Sequence, residues 1–240
     1  MKPLILAIAI IILVSVRFGK PAGAKEAERK RKEFWDRERE ADRTPRKDIS
    51  GLDYLTIPVS TLPFHFESSV TEENTAVVTP VPLSSTLLDT LPKETKQELA
   101  YAEKQILKLT GKRIKNFTGL SNTDLKLTYG AANLPVLSAC DQNYTVLIRT
   151  LQKWGTLLCE AGLQNDAITV FSYAVSIGSD ITATYTALAH LYRENGQTEN
   201  ITLLIIQAHS LPTLLNDSLF RSLTDIRDSS MLREQSIHES

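Results

Sequence analysis

The feature that most constrains this chain is a pattern written twice. With Ile148–Ile181 set over Thr182–Leu215, the offset is 34 residues throughout. Gly162 then falls over Gly196, Ala174 over Ala208, Leu151 over Tyr185, Trp154 over Leu188, Leu158 over Tyr192 and Phe171 over Ile205. Within and just before the first copy, Tyr144, Leu147, Ile148, Leu151, Trp154 and Leu158 keep helical period. Gly162 ends that helix, and a return helix runs from Gln164 to Ile177 with Gly178 as its stop. Copy two repeats the plan as Thr182–Asn195 and Thr198–Leu211, closed by Gly196 and Pro212. A helix–turn–helix of this length buries its apolar face only against its neighbours, so the pattern calls for a stack.

In the first copy the order of small and large residues is Trp154-Gly155, Leu158, Gly162, Ala167, Phe171 and Ala174. That order, at that period, resembles the tetratricopeptide family. Ser179 and Thr213 stand where the family prefers proline, and Ile201 replaces the alanine represented by Ala167. The resemblance implies an all-α fold, a short tetratricopeptide-like α-solenoid of two repeats with flanking capping helices, and a binding role. In that family the first helix of each repeat lines a concave groove. Here the groove face would carry Arg149, Gln152, Thr156 and Glu160, then Thr186, His190 and Arg193. The family's clamp for C-terminal carboxylates is missing, because Gln152 and Thr156 occupy the matching positions. The bland reading of each of these residues is an ordinary solvated helix face.

Apolar content is unevenly placed along the 240 residues. The reading divides them into an anchor (1–20), a charged juxtamembrane helix (21–48), an extended segment with a disordered linker (49–91), the repeat domain (92–227) and a disordered tail (228–240). Charge is equally uneven. Arg17–Asp48 has twelve basic and eight acidic residues, whereas Ile49–Ser240 has fourteen basic and twenty acidic. A nucleic-acid-binding domain would be basic, so no nucleic-acid partner is expected.

Leu4–Val16 is apolar apart from Ser15, bracketed by Lys2 and Arg17. Thirteen residues is short against the roughly 17–25 of a membrane span. With Pro3, Arg17 and Phe18 included and Arg17 snorkelling, the helix reaches about 24 Å, so a lipid bilayer is the expected partner of residues 4–18. A secretory signal peptide is the competing reading, with Ala22-Gly23-Ala24 as cleavage site. Arg17 and Lys20 between apolar block and site argue against it. The basic load that follows keeps the distal domain on the cytoplasmic side of the plasma membrane by the positive-inside rule; the alternative is an extracytoplasmic or secreted domain.

Beyond Pro21, a charged helix over Ala24–Ala41 is supported by Glu28–Lys32 and Glu33–Arg37 pairs. Its aromatic site, Phe34-Trp35, either dips into the membrane interface beside Arg17 and Lys20 or touches nothing on a solvated spacer. Between Ile49 and Phe66, Leu52, Tyr54, Leu55, Ile57, Val59 and Leu62 are too apolar for a free linker, and Pro58 and Pro63 forbid a helix. An extended segment seated in a groove, of this chain or of a partner, fits both facts. A helix follows from Pro92 to Thr110, and Ser121–Asp124 has capping-box form for a short helix before Gly130. These two helices are expected to complete the stack. Asp141 reads as the cap of the next helix, and Asp217 as the start of the last. The runs 34–40, 49–54 and 116–134 also resemble uncharacterised bacterial single-pass membrane proteins with a helical-repeat tail, a likeness that brings no activity with it.

Catalytic signals are weak. His65, His190, His209 and His238 share no metal-ligand spacing and read as packing or surface residues. Cys140 and Cys159 read as free thiols, with a disulfide left open. Thr110-Gly-Lys112 lacks the upstream glycine of a phosphate loop. The expectation is therefore a membrane-anchored adaptor that binds a protein or peptide, without catalytic residues, metal or cofactor. The alternative is a membrane-tethered spacer with no specific ligand.

Overall fold

The computed structural model describes residues 22–66, 90–211 and 217–238. The expected anchor, with Arg17 and Lys20, lies outside them, as does the linker from residue 67 to 89. Regular structure among the described residues is all helical: α1 (Ala22–Arg43), α2 (Lys93–Leu107), α3 (Asn122–Tyr129), α4 (Leu134–Glu160), α5 (Gln164–Ser176), α6 (Thr182–Glu194), α7 (Thr198–His209) and α8 (Asp217–His238). Among these, no helix is long and apolar enough to cross a membrane. The chain divides into two compact units, residues 1–51 with 120–135, and residues 52–119 with 136–240.

In the first unit the charged helix has a partner. Alanine, lysine, glutamate and arginine dominate α1, which gives it helix propensity without an apolar stripe. Its contact with α3 is accordingly polar. Arg37 pairs with Asp124, and Lys126 Nζ reaches Glu38 Oε2 at 3.1 Å and Asp42 Oδ1 at 2.7 Å. Thr123 also donates to Glu38, and Ala41 is fully buried at the contact. Arg37 thus pairs across to α3 rather than with Glu33, which Arg29 holds instead at 3.0 Å. Ser121 caps α3 as expected, its hydroxyl accepting from Asp124 N while Asp124 Oδ2 accepts from Ser121 N. Residues 44–51 return along α3: Lys47 N donates to Tyr129 O at 3.0 Å, and Asn133 Nδ2 donates to Lys47 O and Tyr129 O. Gly130 permits this close approach. It sits at φ 93°, and a Cβ there would lie 2.2 Å from Pro45 O.

The residues around α3 therefore belong with α1 and not with the helices from α4 onward, where the need of two repeats for further helices had placed them. A capping box specifies a helix start and says nothing about which surface the helix buries.

The second unit carries one large apolar core. Leu99, Ile106, Leu137, Leu147, Leu151, Trp154, Leu158, Phe171, Tyr185 and Leu188 are all essentially inaccessible. α4 begins at Leu134, upstream of Asp141, so Asp141 is not a cap; its Oδ1 accepts from Phe117 N at 3.0 Å and fixes the chain that precedes the helix. Lys115 N donates to Cys140 O and Asn143 Nδ2 to Arg113 O along the same edge. Both cysteines are free thiols.

From α4 onward the helices keep the 34-residue register. α4 ends at Glu160 and α6 at Glu194, while α5 begins at Gln164 and α7 at Thr198. Gly162 and Gly196 turn the chain with φ of 75° and 66°. Ala167 and Ile201, and Ala174 and Ala208, are pairwise buried. The pair Trp154-Gly155 makes a tight contact in copy one, because a Cβ on Gly155 would meet Phe171 Cε1 at 2.4 Å. Tyr144 spans the same copy, its hydroxyl donating to Gly178 O at 2.7 Å, and Tyr185 does likewise to Ser179 O at 2.9 Å. α8 packs on α6 and α7 through Leu219, Leu223 and Ile226, closing that end of the core. Its helix continues to His238, beyond residue 228 where the sequence places a disordered tail.

Candidate functional site

Two places in the second unit concentrate polar chemistry, and the repeat pattern points to only one of them. The first is where the segment before α2 docks. Residues 52–66 run extended against the helices: Leu55 N donates to Ile114 O at 2.8 Å, Tyr173 Oη to Thr56 O at 3.3 Å, and Ile57, Leu62 and Phe64 are buried. Phe64 lies on Trp154 with ring centroids 5.1 Å apart. The groove that takes this segment is thus the chain's own.

His65 ends the segment with its side chain fully enclosed between two carboxylates. Nδ1 lies 2.9 Å from Glu103 Oε1 on α2, and Nε2 lies 3.2 Å from Asp166 Oδ2 in the first turn of α5. Glu103, itself buried, also accepts from the backbone N–H groups of His65 and Phe66 at 3.0 Å. Burial alone would push the imidazole's pKa down. The hydrogen bonds and negative charge of Asp166 and Glu103 outweigh that, and raise it from 6.5 to about 9. The ring is therefore a cation that donates from both nitrogens.

This geometry is a clasp. With both ring nitrogens occupied and no solvent path, His65 has no atom left for a substrate or a metal. Among the described residues no group of three or more His, Cys, Asp or Glu side chains is arranged to hold a metal ion. Sequence reasoning passed over His65 because its partners lie 38 and 101 residues away. A usable signal was present nonetheless: a histidine beside aromatic residues and prolines in a segment too apolar to be a linker.

The second place is the face of α4 and α6 that the family resemblance marks. The seven residues expected there do not act as one row. Gln152 is committed within the protein, its Oε1 accepting from the buried Thr184 hydroxyl and its Nε2 donating to Thr156 Oγ1 at 3.3 Å. Thr156 also returns its hydroxyl to Gln152 O, and Thr186 caps backbone carbonyls of its own helix at Thr182 and Ala183. Arg149 and Glu160 are exposed.

His190 and Arg193 are brought into an open cleft of about 440 Å³ between α6 and α8. From α8 the cleft receives Arg221, Asp225 and a row of serines that includes Ser218 and Ser222. These α8 residues fall on one helical face, at spacings of three and four. Arg193 Nε is buried there without a hydrogen-bond acceptor. Phe34 and Trp35, by contrast, belong to the first unit, where they are exposed and meet edge to face at 5.3 Å.

Comparison with protein-family models, with curated proteins and with solved structures finds no match.

Proposed function

We propose that this chain is a membrane-anchored adaptor whose tetratricopeptide-like helical stack holds a protein or peptide partner on the face formed by the first helix of each repeat. The observation that carries this reading is the 34-residue register, which recurs in helix ends, glycine turns and buried positions from α4 to α7. A stack with that register leaves the outer face of α4 and α6 to polar residues while its large apolar residues turn inward. The first twenty residues supply the anchor in this reading, and the exposed Phe34-Trp35 pair with Arg31 and Lys32 one turn earlier suits a headgroup layer. A spacer without a ligand is the competing reading, favoured by the self-satisfied Gln152–Thr184 contact.

Anchoring is tested by carbonate extraction of cell membranes: the full-length chain is expected in the pellet. A soluble form beginning at Lys25 would mean that the apolar block is a cleaved signal. Partner binding is tested by placing a photo-crosslinking amino acid at Thr156, at His190 and at Ile206, the last exposed on α7. One discrete adduct from positions 156 and 190, absent from 206, is expected. No adduct at the first two, or the same smear at all three, would leave the spacer.

A further inference from the structure

We infer that the cleft between α6 and α8 is an acidic-peptide site in which Arg193 and Arg221 receive a side-chain carboxylate of the partner. The inference deepens the adaptor reading and rests on it. Its starting point is a charge imbalance. The chain from Ile49 onward is acidic by twenty residues to fourteen, yet two guanidinium groups from different helices line this one cleft. Arg227 on the same helix, by contrast, is paired with Asp228 at 2.9 Å. Among the described residues neither Arg193 nor Arg221 forms an ion pair, and Arg193 Nε–H is shielded from water without an acceptor. A carboxylate arriving in the cleft gains charge-assisted hydrogen bonds from two guanidinium groups that no acid among the described residues pairs with.

The other cleft groups fit the same ligand. Ser222 contributes a hydroxyl on the α8 wall, and His190 an imidazole on the α6 wall. Asp225 is the one carboxylate of the lining and offsets one of the two arginines, so the cleft keeps a net positive charge. Its volume is within the range of specific ligand pockets, and it is open along its length rather than closed over a small ion. That shape takes a side chain presented by an extended peptide.

The test uses the full-length protein in detergent micelles and a fluorescein-labelled decapeptide of alternating glutamate and glycine, followed by fluorescence anisotropy. Its counterpart with glutamine for glutamate is the neutral control. Saturable binding of the glutamate peptide, at least tenfold weaker in Arg193→Gln/Arg221→Gln and tighter in Asp225→Asn, is the expected result. The basic arm is a competing anion binder, so Arg31→Gln/Lys32→Gln is run beside these and is expected to bind like wild type. Binding lost in the arm variant but kept in the cleft variant would overturn the inference, as would equal binding of the glutamine peptide. A circular-dichroism melt of each variant separates lost binding from lost fold. Should the peptide fail while crosslinks at positions 156 and 190 persist, the adaptor stands and the acidic ligand falls.

Discussion

The two units of this chain solve the same problem with opposite materials. In the first, α1 and α3 meet through Arg37, Lys126, Glu38, Asp42 and Asp124, and their buried residues are few: Ala41 on α1 with Thr123 and Leu125 on α3. In the second, large apolar side chains such as Leu99, Leu151 and Phe171 form one core with Trp154, and the buried carboxylates Glu103 and Asp166 meet at His65. Apolar burial contributes in proportion to area and is indifferent to salt, at about 25 cal/mol per Å². Partly solvated ion pairs contribute about 0.2–1 kcal/mol each and are screened. The comparison teaches that the second unit draws its stability from apolar burial, whereas the charged arm is held by contacts that salt and pH can loosen.

The largest effect expected is at the centre of the apolar unit. Trp154 is wholly inaccessible and packs on Phe64, and truncating a buried tryptophan costs about 3–5 kcal/mol. Trp154→Ala should therefore lower the melting midpoint of the second unit by many degrees while hydrogen exchange of α1 stays as in wild type. Its indole Nε1 is buried without a partner, so Trp154→Phe removes an unsatisfied donor along with volume and should be much milder than the alanine change. A midpoint within a degree or two of wild type for Trp154→Ala would place the core elsewhere.

Next in size is the clasp, where the two units also differ in the direction of their pH response. His65 holds its proton up to about pH 9 in the folded chain, against an ordinary value of 6.5 once unfolded. Between those values folding takes up a proton, so the contribution of the clasp is complete below about pH 6.5, declines as pH rises, and is gone above about 9. Burial raises the thiols of Cys140 and Cys159 above their usual range and holds the Tyr173 and Tyr185 hydroxyls up at about 12, so these groups also favour the unfolded chain as pH passes their ordinary values, and the share of His65 is isolated by comparing wild type with His65→Ala. The first unit responds at the other extreme. Hydrogen bonds from Ser121, with Arg37 beside them, hold the Asp124 carboxyl at about 2 against an ordinary 3.8, so its contribution is present above 3.8 and is lost as pH falls towards 2. His65→Ala strands two carboxylates in the interior, a loss of roughly 3–5 kcal/mol by analogy with broken buried ion pairs. Chemical denaturation of wild type and His65→Ala between pH 6 and 10 should show a gap that narrows with rising pH. A gap independent of pH would mean that the ring is neutral and merely fills space.

What could be read in advance divides along the same line. Helix ends in the repeats are local events, marked by Gly162, Gly178 and Gly196, and the apolar period carries the burial of Leu151, Trp154, Phe171 and Ala174. Ionic contacts leave no such periodic mark. Nothing in the neighbourhood of Asp124 or Lys126 names Arg37 or Glu38 as a partner 87 or 88 residues away, so the α1–α3 unit was invisible although its capping box was plain. The cleft was half legible. His190 and Arg193 lie on a predicted face, but Arg221 joins them only because α8 folds back on α6 through Leu219 and Leu223, an apolar contact whose polar consequence no spacing rule expresses.

The smallest expected effect is also the one that best isolates the polar unit. Lys126 is largely enclosed, its ammonium shared between Glu38 and Asp42, and those two carboxylates raise its pKa above the usual lysine value. Lys126→Ala removes both contacts but leaves Arg37–Asp124 and the Ala41 contact in place, so the loss of stability should be small. Raising the salt from about 0.1 M to 1 M shortens the screening length from about 10 Å to about 3 Å, which reaches the distances that matter here. Amide exchange in α1 and α3 should consequently accelerate with salt in wild type and less so in Lys126→Ala, where part of the screened interaction is already gone. Exchange in α4 and α5 should not respond, because Trp154, Phe171 and Ala174 owe nothing to ionic strength. Protection of α1 that ignores salt in both proteins would mean that Ala41 and Ile49, both buried, hold the arm by themselves, and the contrast between the units would be one of area alone.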